Sequence, residues 1–220
     1  MCDNLDNIRK YPVSGKKVND ALATLLKNTR IDDITPDLNH LFEAFDKCPY
    51  DNLKVIWVGQ DPYPQSGIAT GIAFGNKRET PSERISPSLK ILRDYACKYF
   101  DKKKEDCNFD VTLSKWEEQG VLMLNASLTT RIGEIGKHTM IWRPVISDFL
   151  AKISWIKPDL VYILSGGVAN SFRPYIGDNA GIVSTVHPSF CIRTSTPFPD
   201  MFNQTNGYLR MAGKSIVNWI

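Results

Sequence analysis

Four short apolar runs, at residues 54–58, 121–124, 160–164 and 182–186, constrain the fold of this chain more than any other feature. Each is too short for an ordinary helix and is bounded by Gly, Pro or polar residues, as suits the buried strands of a parallel sheet. Helical patterns separate them. Residues 17–27 and 38–46 precede the first run, and 88–100 follow it, with Leu89, Leu92, Ala96 and Tyr99 along one face. A further pattern at 142–156 lies between the second and third runs, where Pro144 is expected to be tolerated by lying in the first turn. Strands alternating with helices predict an α/β fold, a three-layer α/β/α sandwich with a central four-stranded parallel sheet. With no internal repeat or linker, residues 1–220 are expected to form a single domain.

In open parallel sheets the ligand crevice lies beyond the carboxyl ends of the strands. Here those ends carry Gln60-Asp61-Pro62-Tyr63, Asn125-Ala126-Ser127, Ser165-Gly166-Gly167 and His187-Pro188-Ser189. Each segment alone has an ordinary reading: an Asp-Pro turn, an Asn cap, a glycine pair opening a helix, a His-Pro loop break. Together they bring a carboxylate, an amide, hydroxyls and an imidazole to one end of one sheet, which points to an active site.

Composition narrows the alternatives. Lys plus Arg exceeds Asp plus Glu by 27 − 24 = 3, a mildly basic balance that permits nucleic-acid binding without demanding it. The run Lys102-Lys103-Lys104 is followed by Glu105, Asp106 and Asp110 and reads as a solvated loop. No apolar stretch reaches the roughly 18 residues of a membrane span, and the start lacks a secretory apolar run, so an intracellular protein is expected. The five cysteines, Cys2, Cys48, Cys97, Cys107 and Cys191, form no C-x-x-C pair and are expected to be reduced packing residues. His40, His138 and His187 offer no metal-ligand spacing, and no Gly-rich phosphate motif follows the first strand.

Gly59-Gln60-Asp61-Pro62-Tyr63, directly after an apolar strand and continuing to Gly71-Ile72-Ala73-Phe74, resembles the water-activating loop of family-1 uracil-DNA glycosylases. Ser86-Pro87-Ser88-Leu89 is similar to that family's proline–serine loop, and the strand ending in Asn125 to its uracil-reading strand. His187-Pro188-Ser189 is similar to the start of its DNA-intercalating loop, and Phe202, Thr205, Asn206, Gly213 and Trp219 to its carboxyl end. The resemblance covers roughly residues 31–220. Departures accompany it: Pro64 stands where the family has His, Phe190-Cys191-Ile192 replace the usual Pro-Leu-Ser, Ser165 replaces a Trp, and no Gln-Pro-Tyr segment is recognisable.

The resemblance implies a DNA-repair enzyme that flips uracil out of DNA and hydrolyses its N-glycosidic bond. Asp61 and His187 would be catalytic, the first holding the attacking water and the second donating to the developing oxyanion. Asn125 would read uracil, Phe74 would stack on it, Tyr63 would exclude a C5 methyl group, and Gln60 would join them. Pro87, Ser88, Gly166, Gly167 and Ser189 would face the DNA backbone, together with Phe190, Cys191, Ile192 and Arg193 from the altered loop. No metal or organic cofactor is implied. Uracil-containing DNA is the implied partner, with a glycosylase-inhibitor protein as a further candidate, and a monomer in the cytoplasm or nucleus is expected. The alternative is a DNA-binding or processivity module that keeps the fold with weak turnover.

Overall fold

The computed structural model describes residues 5–103, 107 and 109–220. Its main sheet has four parallel strands, β2 (Val55–Gly59), β3 (Val121–Asn125), β5 (Val161–Ser165) and β6 (Gly181–Thr185), in the order β3-β2-β5-β6. Each lies within one residue of its expected position. β1 (Ile34–Thr35) and β4 (Thr130–Arg131) form a small antiparallel ribbon beside it.

Strand periodicity divides the interior in two. Ile56, Val58, Leu122, Leu124, Tyr162 and Leu164 face one core, closed by α2 (Gly15–Asn28), α3 (Glu43–Lys47) and α6 (Thr139–Ile156). Val55, Trp57, Val121, Met123, Val161 and Ile163 face the other, closed by α4 (Pro87–Tyr99), α5 (Ser114–Glu118) and α9 (Met201–Met211). This is the expected α/β/α sandwich. α1 (Leu5–Lys10) lies outside these layers, with Asn7 bonded to the main chain around Cys48. The carboxyl end is clamped by the buried Asn206 side chain, which exchanges two hydrogen bonds with the Val217 backbone and leaves Trp219 packed against Phe202 in the second core.

Three expectations are corrected. The 38–46 pattern is a 3-10 turn at Leu38–His40 followed by the short α3, and the Gly71 backbone packs against the His40 carbonyl where a Cβ would not fit. Pro144 lies in the second turn of α6, not the first. Its missing N–H leaves Met140 without its helical donor, but Met140 is 75% exposed, so solvent can supply one. Cys97 and Cys107 form a disulfide, with Cα atoms 5.8 Å apart; an odd cysteine total excludes complete pairing but not a single pair brought together where α4 ends. Cys48 and Cys191 are free and buried, as expected of packing residues. Lys102 and Lys103 are exposed, whereas Cys2 and the segment 104–106 lie outside the described residues.

Among the described residues no helix is long and apolar enough to cross a membrane.

Candidate active site

The strand order reverses direction at β2, so the connections leaving β2 and β5 diverge and open a crevice at their carboxyl ends. A cleft of about 790 Å³ occupies it, lined by residues from the ends of all four strands. Asp61 follows β2, Asn125 ends β3, Gly166 and Gly167 follow β5, and His187 follows β6.

His187 is the N-cap of α8 (Pro188–Thr194), with Pro188 at the first helical position where its missing N–H costs nothing. The Ser189 backbone N–H donates to His187 Nδ1 at 3.2 Å, and the Ser189 hydroxyl lies 2.9 Å from the same atom. A ring nitrogen that accepts from an amide carries no proton, so the neutral ring bears its hydrogen on Nε2. Burial first, and the nearby Arg193 charge second, hold His187 down at about 4, far below its usual value. Gly166, at φ +87°, brings the end of β5 against the base of the His187 side chain; a Cβ there would stand 3.0 Å from His187 Cβ.

Asp61 Oδ2 accepts a hydrogen bond from the Gly136 amide. Burial raises the Asp61 carboxyl above the ordinary range, with that bond opposing the rise. Phe74 sits in the left-handed region at φ +66°, a conformation that costs a bulky residue on the order of 1 kcal/mol. Its carbonyl accepts from the Tyr63 hydroxyl at 2.9 Å, which ties the two aromatic residues together, and its ring lies 5.6 Å from that of His187. The Asn125 side chain lines the cleft and has no protein hydrogen-bond partner among the described residues. Gly59 makes room for it: a Cβ at Gly59 would lie 2.8 Å from Asn125 Oδ1 and 3.3 Å from the Phe74 ring.

The match to known proteins follows this geometry. Residues 45–210 match the sequence model described as the uracil DNA glycosylase superfamily. The chain belongs to this superfamily. Among its curated relatives, the uracil-DNA glycosylase of Azobacteroides pseudotrichonymphae is 32% identical, with 96% of each chain covered. Uracil-DNA glycosylase 2 of Bacteroides fragilis is 34% identical, over 84% of this chain and 83% of the relative. Mimivirus uracil-DNA glycosylase shares the fold with a TM-score of 0.74 at 20% identity, over 97% of this chain and 89% of the other. A variant of the mimivirus enzyme solved in complex with UGI gives 0.79 at 22% identity, over 100% and 88%.

The cleft gathers Gln60, Asp61, Tyr63, Phe74, Asn125, Pro87, Ser88, Gly166, Gly167, His187, Ser189, Phe190 and Arg193 from the residues expected of a superfamily member. Cys191 and Ile192 are not among its lining residues. The segment after His187 is a helix rather than an irregular loop, and it turns Cys191 into the second core while leaving Phe190 and Ile192 exposed. The expectation that Cys191 faces DNA is therefore corrected for this conformation. Ser165 accepts from the buried Trp57 indole at 2.8 Å and so satisfies a neighbouring strand.

Several cleft residues escaped the sequence reading. Arg84 lines the cleft, is exposed and has no carboxylate partner among the described residues; its position two residues before Ser86-Pro87 was the available signal. Asn76, buried, bonds both the Ser86 amide and hydroxyl and so fixes the start of α4 at the cleft. Ile68, Ile135 and Gly136 come from loops without any motif in the sequence. Ile68 and Ile135 line the cleft, and Gly136 donates to Asp61.

Proposed function

We propose that this chain is a uracil-DNA glycosylase that removes uracil from DNA by hydrolysis and leaves an abasic site. The observation that carries this reading is the meeting, in one cleft, of a half-buried carboxylate, an unpartnered amide and an imidazole locked as its neutral Nε2–H form. Residues 1–220 act as one unit.

A base stacked in a duplex is out of reach, so the uridine nucleotide is extruded into the cleft at a cost of a few kcal/mol. Asn125 offers an N–H to uracil O4 and a carbonyl to N3–H, a pattern opposite to that of cytosine. Phe74 stacks on the ring and Tyr63 occupies the space that a thymine methyl would need. As the glycosidic bond breaks, its electron pair moves onto the base and negative charge builds on O2, where His187 Nε2–H donates. The sugar becomes cationic, and the Asp61 carboxylate stabilises it while orienting a water whose oxygen bonds to C1′ and whose proton passes to Asp61. Burial makes Asp61 a stronger base for that transfer. Arg84 and Arg193 meet backbone phosphates at the mouth, with the amides at Ser88 and Gly167 beside them.

The enzyme works where DNA is, in the cytoplasm or nucleus, as a monomer. The complex of the mimivirus variant with UGI makes an inhibitor protein of that kind a candidate partner.

The test is incubation of the purified chain with an end-labelled, uracil-containing oligonucleotide in the presence of a chelator, followed by alkali. Strand breaks at the uracil position, absent from a thymine control, are expected. An intact strand would refute the function; activity lost to EDTA and restored by zinc would refute the cofactor-free chemistry.

A further inference from the structure

We propose that Ile135 is a DNA-contacting residue on the rim of the cleft, presented by a braced loop whose next residue holds the catalytic carboxylate. The inference rests on the reading of the cleft as a uracil-DNA glycosylase site, and it assigns a role that no sequence motif carries.

Ile135 is 70% exposed, which makes it the most exposed large apolar residue lining the cleft; Phe190 is 39% and Ile68 38% exposed. A single exposed aliphatic side chain on a surface is commonplace. What sets this one apart is its support. Gly133 and Gly136 flank the tip of the loop at φ +81° and +73°, so the turn favours residues without a Cβ although neither site is sterically closed: the space at Gly133 is open, and a Cβ at Gly136 would only touch Thr139 and Gln60. The Gly133 amide donates to the Pro64 carbonyl at 2.9 Å, and the Gly136 amide donates to Asp61 Oδ2. Glu134 is held by Arg131 at 3.1 Å and Lys137 at 2.8 Å. Behind the loop, the buried His138 ring bridges Thr29 and Thr129 at 3.1 and 3.0 Å. The amides of Gly133 and Gly136 and the Glu134 carboxylate are thus engaged with the protein, while the isoleucine side chain is left to the cleft mouth.

A rigid support with a β-branched side chain loses little freedom when a partner covers it. The partner is the DNA strand flanking the extruded nucleotide. That strand must cross the mouth to deliver uracil to Asn125, its sugars and unstacked base faces are apolar, and Arg84 and Arg193 lie on the same cleft to take its phosphates. Ile135 is neither the general base nor the oxyanion donor. It contributes binding, and because Gly136 follows it, DNA pressing on Ile135 presses on the loop that orients Asp61.

The experiment measures affinity for a duplex bearing an uncleavable 2′-fluoro-deoxyuridine, together with KM and kcat on the cleavable duplex and the melting temperature. Ile135→Ala is expected to weaken binding and raise KM by roughly five- to tenfold, the size expected when an aliphatic side chain loses part of its burial. The melting temperature should stay at the parent's value, and Ile135→Leu should restore binding. Parent-like affinity and KM in Ile135→Ala would overturn the proposal, as would a loss accompanied by a lower melting temperature and not rescued by leucine. If the parent releases no uracil, the functional reading fails, whereas the binding comparison still decides the role of Ile135.

Discussion

The floor of the cleft and its rim are built by different means. The floor is made of strand ends: Asn125 closes β3, Asp61 follows β2 by two residues and His187 follows β6 by two. The sheet therefore sets their spacing, and burial sets their charge states, raising Asp61 and lowering His187. The rim is made of helix starts and loops, with Phe190, Arg193, Arg84 and Ile135 exposed around the mouth. Chemistry that depends on preorganised groups belongs on the rigid, water-poor floor, whereas DNA, which is large and charged, is met by side chains that reach into solvent.

The largest effect short of the catalytic pair is expected on the floor. Gly59→Ala places a Cβ against Asn125 Oδ1 and the Phe74 ring, so uracil release should fall by roughly 100-fold, the loss that a misplacement of about 1 Å can cause. Thermal melting should show the protein still folded. Parent-like release would mean that Asn125 and Phe74 do not read the base from the positions described.

A smaller, substrate-dependent effect is expected from the rim. Phe190→Ala should slow release from double-stranded DNA several-fold more than release from single-stranded DNA, because an unpaired base costs less to extrude. The ratio of the two rates in variant and parent is the quantity to measure. An unchanged ratio, or equal losses with a lower melting temperature, would assign Phe190 to packing and erase the distinction between floor and rim at that point.

The smallest effects are electrostatic. Arg84→Ala should weaken DNA binding by a similar factor whatever the sequence, and reduce the salt dependence of binding by about one unit of slope. Arg193→Ala should act on both regions at once. Burial is the larger cause of the low His187 value and Arg193 the second, so removing Arg193 should move the imidazole up from about 4 in an NMR titration without restoring its ordinary value. The sign for stability follows. A depressed histidine lets the unfolded chain take up its proton first, so stability falls as pH drops from about 6.5 towards about 4, and this window should narrow in Arg193→Ala.

The same division explains what was legible in the sequence. Apolar runs bounded by polar or turn residues located all four strands of the main sheet, and because function gathers at strand ends, Asp61, Asn125 and His187 could be named from one dimension. The rim offered no such rule. In sequence Phe190-Cys191-Ile192 reads as a loop because His187-Pro188 reads as a break, although His, Pro and Ser in that order also serve as a cap, a first helical residue and a donor back to the cap. Once that helix forms, its periodicity places Cys191 inside and its neighbours outside. Ile135 and Gly136 lie far along the chain from Asp61, and only the packing of one loop on another brings them to it. The Cys97–Cys107 pair, only ten residues apart, was hidden for another reason: an odd cysteine total with no C-x-x-C spacing marks no particular pair, and it is the end of α4 that brings these two together.

The central claim is that the floor performs the chemistry, with Asp61 and His187 acting on transition-state charge rather than on DNA binding. Single-turnover uracil release and affinity for uncleavable uracil-analogue DNA, measured side by side for the parent, Asp61→Asn and His187→Ala, test it most directly. Each variant is expected to lose roughly 100- to 1,000-fold in rate while binding DNA within a few-fold of the parent. Near-normal rates in both variants, or rate losses matched by equal losses of affinity, would contradict it.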